Sequence, residues 1–204
     1  MNKENIINIA KIAIDAGIAI LEVYNFADFG VEIKKDNSPL TIADSKSNEV
    51  ILKCLNELTI DGGILPLLSE EGKEVPYEER INWGKYWLID PLDGTKEFIK
   101  KNGEFTVNIA LIEDGIPTAG FVYIPVKDIL FFGSKENGSF KMTEASVKIN
   151  SNIFDISEKL SVSDNLPDTI KVVASRSHLS TETEEYINKL ETKYQNVETV
   201  SSGS

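Results

Sequence analysis

The hexapeptide Asp90-Pro91-Leu92-Asp93-Gly94-Thr95 sets two carboxylates and a backbone carbonyl around a proline turn and then opens a helix. Such oxygens are hard ligands suited to Mg²⁺, which keeps several waters and usually takes one or two protein carboxylates plus substrate phosphate. Gly94 lets backbone N–H groups come close to a ligand, and a helix amino terminus favours an anion through its unpaired donors. The same residues therefore read either as a cation site joined to a phosphate cradle or as a plain turn with an aspartate cap. Their neighbours favour the first. Glu70 and Glu71 directly follow an apolar strand, and in open sheets ligands gather at strand carboxyl ends. Bunched carboxylates raise one another's pKa unless a cation compensates them.

Asp44 adds a third element. Positions 44, 47, 51, 55 and 58 share helical spacing, so its carboxylate lies on the inward stripe of Ile51, Leu55 and Leu58. It either completes a helix cap with Thr41 or serves as an outer ligand for a metal or a water. Lys34, alone in a polar turn, reads from the residues as a solvated surface lysine. His178, the only histidine, sits in Ser175-Arg176-Ser177-His178 after a strand, and one histidine makes no zinc site. With no Ser/His/Asp triad and no Walker loop in view, metal-assisted hydrolysis is the chemistry left.

Charge narrows the partners. The chain's 21 basic and 33 acidic residues give a net −12, and the only arginines are Arg80 and Arg176. A nucleic-acid polymer is an unsuitable partner for such a surface. A small phosphorylated substrate is also repelled unless bound cations invert the local field. With 41% apolar and 26% charged residues among 204, the chain is globular rather than disordered. The single Cys54 suits a buried small hydrophobe in a reducing compartment. Lys11 and Asp15 interrupt the isoleucine-rich amino terminus, so neither a signal peptide nor a transmembrane segment is expected and the protein reads as cytoplasmic.

The elements that must position these groups follow from periodicity. Helices are expected over residues 3–25 and, from a Thr41/Asp44 capping box, onward to Leu58. Short strands end at Leu68 and Ile89, a short helix covers 95–101, and 105–112 with 116–124 form a hairpin around Glu113-Asp114-Gly115. Residues 129–133 and 139–142 extend the meander, and 143–168 is a polar connection with weak strands. A boundary near Asn150 then separates a strand over 170–174 and a helix over 183–194. One strand and one helix cannot bury a core alone.

Three strings, Asp36-Asn37-Ser38-Pro39-Leu40-Thr41-Ile42-Ala43-Asp44, Leu68-Ser69-Glu70-Glu71 and Trp87-Leu88-Ile89-Asp90-Pro91-Leu92-Asp93-Gly94-Thr95, resemble the Mg²⁺-dependent, lithium-sensitive phosphatases that include inositol monophosphatase and the 3'(2'),5'-bisphosphate nucleotidases. Lys96-Glu97-Phe98-Ile99-Lys100, Asn102 through Leu111 and Ser175 through His178 resemble the bacterial nucleotidase branch. The resemblance implies an α/β (α+β) layered fold of the inositol-monophosphatase/fructose-bisphosphatase-like sugar phosphatases. Residues 1–150 would form a metal-binding α+β domain with an antiparallel sheet, and 151–204 the start of an incomplete α/β domain. It implies hydrolysis of adenosine 3',5'-bisphosphate to AMP and phosphate in sulfur metabolism, with two or three Mg²⁺ ions and inhibition by Li⁺.

Carried over by position, the resemblance gives Glu70, Asp90, the Leu92 carbonyl and Asp93 as metal ligands. Asp44, Glu70 and Thr95 would be catalytic, Asp44 positioning a water at the metals and Thr95 bonding the attacking water. Glu70, Leu92, Asp93, Gly94, Thr95, Lys34 and His178 would contact substrate. A peripheral place on the inner face of the plasma membrane is also compatible with the family. The family's later Trp-Asp motif is not found and its Gly-Ser-Ser-Leu-Lys-like segment only starts at Gly203-Ser204, so the chain is expected to stop early and to lack a ligand for the second metal. Two rival readings stay open: an inositol or sugar monophosphatase, and an inactive metal- or phosphate-binding fragment.

Overall fold

Helix α1 (Lys3–Tyr24) starts where the Asn2 side chain accepts from the Asn5 backbone N–H at 2.8 Å. Its isoleucine and alanine stripe, Ile6, Ile9, Ala10, Ala13 and Ile20 among them, is buried, while Lys11, Asp15 and Glu22 are exposed. The computed structural model describes residues 1–26, 30, 32–33, 39–163, 165, 167–175 and 180–202, in two units, Met1–Leu160 and Ser161–Ser204.

In the first unit, a short antiparallel pair, β1 (Glu32–Ile33) and β2 (Pro39–Leu40), leads into α2 (Ile42–Glu57). Helices α1 and α2 pack on each other and on one face of a seven-stranded sheet. Its strands run in chain order: β3 (Leu67–Ser69), β4 (Lys85–Asp93), β5 (Thr106–Glu113), β6 (Ile116–Ile124), β7 (Ile129–Ser134), β8 (Gly138–Thr143) and β9 (Glu158–Leu160). Short helices α3 (Tyr77–Arg80), α4 (Thr95–Ile99), α5 (Ala145–Lys148) and α6 (Ile153–Ile156) occupy the connections. Trp87, Ile89, Val107, Ile109, Phe121 and Tyr123 point from the sheet into the core shared with the helices.

The antiparallel sheet expected from the sequence is corrected to a mixed one, because β3 pairs parallel with β4. Parallel neighbours need a crossover of a dozen or more residues, and the stretch from Glu70 to Gly84, which contains α3, supplies it. The β5–β6 hairpin turns through Asp114 and Gly115 at φ 51° and 77°, both positive as a tight primed turn requires. The polar region 143–168 holds α5 and α6 as well as β9, and the units divide at Leu160 rather than near Asn150 because β9 pairs with β8.

The second unit contains β10 (Ile170–Ser175), α7 (Thr181–Lys193) and β11 (Val197–Ser202), with β10 and β11 parallel. The second strand is an addition to the expected strand and helix. Cys54 is half-buried and packs at the margin of the first unit's core rather than inside it. Among the described residues no helix is long and apolar enough to cross a membrane.

Gly17 shows how closely α1 meets the sheet: a Cβ there would lie 2.4 Å from Cε1 of buried Tyr123. Gly17→Ala should therefore destabilise the chain by about 1–3 kcal/mol through overpacking. Thermal or denaturant unfolding of the variant checks this, and an unchanged midpoint would show that the helix can shift away without cost.

Candidate active site

Strand β4 carries the acids, and its proline shapes their presentation. Pro91 has no N–H for the ladder, and pairing with β5 is irregular between Asp90 and Asp93. Both Pro91 and Leu92 are buried there, which breaks the alternation seen earlier in the strand. Gly94 follows at φ 93°, in the left-handed region that glycine enters without steric penalty, and Thr95 opens α4. That helix has five residues, Thr95–Ile99, slightly shorter than the 95–101 expected, so it offers a single turn. Beside it, the backbone N–H of Glu70 donates to the Ile89 carbonyl at 3.0 Å. Glu70 is thereby brought next to Asp90.

Helix α2 braces both acidic turns from one edge. Asp44 uses both of its oxygens: Oδ2 accepts from the Thr41 N–H at 2.7 Å and the Thr41 hydroxyl at 2.6 Å, and Oδ1 accepts from the Thr95 hydroxyl at 3.0 Å. The cap and the functional role, alternatives in the sequence, thus coexist in one side chain that is 1% exposed. Burial pushes the Asp44 carboxyl above its ordinary value, and the Thr41 and Thr95 bonds partly offset this. One turn on, the Ser47 hydroxyl donates to the Pro91 carbonyl at 2.7 Å. The Asn48 side chain accepts from the Ser69 hydroxyl at 2.7 Å and donates to the Glu71 carbonyl at 3.4 Å.

Two further groups steady the β4 end. Asn108 on β5 directs its amide at Asp93 Oδ2, 3.4 Å away, and is itself oriented by the Thr106 hydroxyl at 3.0 Å. Glu97 is 2% exposed, pairs with Lys100 at 2.9 Å and bonds Asn102, closing the turn after α4. A cleft of about 480 Å³ opens against Glu70, Asp90 and Asn108, floored by Leu88, Ala110, Gly120 and Val122. That size suits a small molecule.

Electrostatics show what this arrangement favours. Oδ1 of Asp90 is buried with no hydrogen-bond partner. Burial, then the nearby Glu70 and Asp93 charges, push the Asp90 carboxyl from 3.8 up to about 7. Among the described residues no three carboxylate, histidine or cysteine side chains form a ready-made cage. The donor set is instead an incomplete one, of carboxylates and a carbonyl, whose mutual repulsion and orphaned oxygen fit a hard divalent cation.

A stability consequence follows from the raised Asp90 pKa. A carboxyl that ionises less readily in the folded state binds more protons there, so the Asp90 contribution to stability is full below about pH 4 and is lost as pH rises through about 7. In metal-free buffer the melting temperature should therefore fall between pH 4 and 7. Asp90→Asn should flatten that slope, and Mg²⁺ should offset the loss near neutrality because it takes the ionised form. Melting curves across pH with chelator or Mg²⁺ measure this, and a rising midpoint in chelator would contradict it.

The structure thus brings Asp44 at the start of α2, Glu70 just after β3, Asp90, Leu92 and Asp93 at the end of β4, and Gly94 and Thr95 at the start of α4 to one place. Lys34 and His178 lie outside the described residues. Ser47, Asn48, Thr106 and Asn108 were not singled out from the sequence as site residues. A polar residue one helical turn from Asp44 was the one available signal, and the cross-strand partner of Asp90, Asn108, becomes evident only once the register is known.

Comparison with known proteins settles the lineage of this arrangement. A profile of the inositol monophosphatase family matches residues 2–204. The chain belongs to the inositol monophosphatase family. The 3'(2'),5'-bisphosphate nucleotidase CysQ of Escherichia coli O157:H7 is 44% identical over 183 residues, covering 89% of this chain and 68% of that protein. The crystal structure of CysQ from Bacteroides thetaiotaomicron, a bacterial member of the inositol monophosphatase family, superposes with a TM-score of 0.83 at 44% identity, covering 99% of this chain and 73% of that one. The extragenic suppressor protein SuhB of Bartonella henselae, at 22% identity and a TM-score of 0.70 over 96% of this chain and 69% of that one, shares the fold. The layered α/β expectation is met, and as a family member the chain is a phosphatase acting on a small phosphorylated molecule.

Proposed function

We propose that this phosphatase is a 3'(2'),5'-bisphosphate nucleotidase that converts adenosine 3',5'-bisphosphate to AMP and phosphate with Mg²⁺. The hydrolytic chemistry rests on one observation: the Thr95 hydroxyl lies 3.0 Å from a buried carboxylate, Asp44, its nearer acceptor, with the Leu92 carbonyl at 3.3 Å, beside the acids of β4. The nucleotide is inferred from the relatives named for that activity at 43–44% identity.

Glu70, Asp90, the Leu92 carbonyl and Asp93 would hold Mg²⁺, which when bound neutralises phosphate charge and makes water a stronger nucleophile at neutral pH. This chain's own groups do the rest. Donating its proton to Asp44 Oδ1 leaves the Thr95 oxygen with lone pairs to accept a hydrogen bond from water and orient it. The raised basicity of Asp44 favours taking up that proton as the water attacks. Asn108 holds Asp93 in place, and Gly94 keeps the backbone clear for an approaching phosphate oxygen. Lys34 and His178 remain proposed substrate contacts from the family pattern. A cytoplasmic setting accords with the lone cysteine, and attachment at the plasma membrane finds no support.

Phosphate release from adenosine 3',5'-bisphosphate, inositol monophosphate and a sugar phosphate, assayed in parallel, tests the reading. Turnover should be fastest with the bisphosphate, vanish with chelator and fall with Li⁺. Preference for either monophosphate would reassign the substrate. No turnover of any of the three with Mg²⁺ would favour the binding-fragment alternative.

A further inference from the structure

The strand that delivers Glu70 is poorly anchored by the sheet. β3 is three residues long and, among the described residues, lies at the sheet edge with β4 as its single strand neighbour. The Glu70 N–H bond to the Ile89 carbonyl at 3.0 Å pins one point of the backbone just beyond β3, and a second tie is needed to fix how the turn that follows is aimed at the β4 acids. Glu70 lies between Ser69 and Glu71, and both of these are bonded by the Asn48 side chain, 2.7 Å to the Ser69 hydroxyl and 3.4 Å to the Glu71 carbonyl. A backbone bond from the Gly72 N–H to the Ser69 carbonyl at 3.0 Å closes the turn, so it moves as one body. The preceding residue, Ser47, holds the other acidic loop through the Pro91 carbonyl at 2.7 Å.

We propose that Asn48 is a positioning residue that sets Glu70 in register with the Asp90–Thr95 loop, with one turn of α2 serving as the spacer between the two metal-binding turns. The inference rests on Glu70, Asp90 and Asp93 forming a Mg²⁺ donor set. The chemistry is specific to an amide: Asn48 accepts from a hydroxyl and donates to a carbonyl at once, which neither a carboxylate nor an aliphatic side chain can do. Asn48 touches neither substrate nor metal in this scheme and acts through the backbone on either side of Glu70.

Calorimetric titration of the full chain with MgCl₂ alone, for wild type, Asn48→Ala, Ser69→Ala and the double variant, tests it. Asn48 is half-buried on a helix, so alanine should leave the fold intact, with the melting temperature in chelator within ~2 °C of wild type. Each single variant should bind Mg²⁺ about 10-fold more weakly, within the range seen for groups that orient metal ligands. The double variant should be no weaker than the worse single, because both changes break one shared link. A purely structural role predicts the reverse pattern, a lowered melting temperature with unchanged Mg²⁺ affinity, and that result overturns the proposal. So do losses that add in the double variant. Wild type that takes up no Mg²⁺ removes the donor set and this inference with it, whereas normal wild-type binding with an unaffected Asn48→Ala variant removes the positioning role alone.

Discussion

Asp93→Asn is expected to lower phosphate-ester turnover by about 10³-fold, close to 4 kcal/mol of transition-state stabilisation, the scale of losing one preorganised electrostatic group. The substitution is nearly isosteric and falls where β4 pairing with β5 is irregular, so the fold should survive it. It also removes one of the two neighbouring charges that push the Asp90 carboxyl upward. The metal-free variant should then be no less stable than wild type at neutral pH while its turnover collapses. Parallel kinetics and melting curves separate these effects. Wild-type rates would take Asp93 out of the site, and a large drop in melting temperature would mean that the carboxylate holds the β4 end together.

Thr95→Val should show the opposite balance, with both turnover and stability reduced. The methyl fills the hydroxyl's space but leaves Asp44 Oδ1 without the donor now 3.0 Å away, inside a residue that is 1% exposed. Losing a partner at a buried polar atom costs about 1–3 kcal/mol. Loss of the water-orienting hydroxyl should slow turnover by about 10²–10⁴-fold. Thr95→Ser should recover most of both, which distinguishes the hydroxyl from the shape of the side chain. If valine is tolerated kinetically, the path from water through Thr95 to Asp44 is wrong.

Legibility in the sequence followed the range of each interaction. The α2 cap could be read because Thr41 and Asp44 are three residues apart and the apolar stripe behind them is long. The β5–β6 hairpin was visible because Asp114-Gly115 supplies its own turn geometry between two apolar runs. Strand direction has no such local signature, and nothing in Leu67–Ser69 distinguishes a parallel neighbour from an antiparallel one. β11, Val-Glu-Thr-Val-Ser-Ser, has too few apolar residues to stand out before β10 is placed beside it. Within the site, the acids were legible because they are bunched in the chain. Asn48 and Asn108 were not, since an isolated amide looks like any solvated residue until partners 21 and 15 positions away are brought to it.

The double engagement of Asp44 bears on how this lineage can decay. A descendant released from selection for hydrolysis would still need that acid to begin α2, so its persistence says nothing about whether enzymatic competence has been kept. Glu70 caps no described helix, and its proposed task is to hold the metal. Among divergent copies, erosion at 70 with retention at 44 would therefore mark a pseudoenzyme.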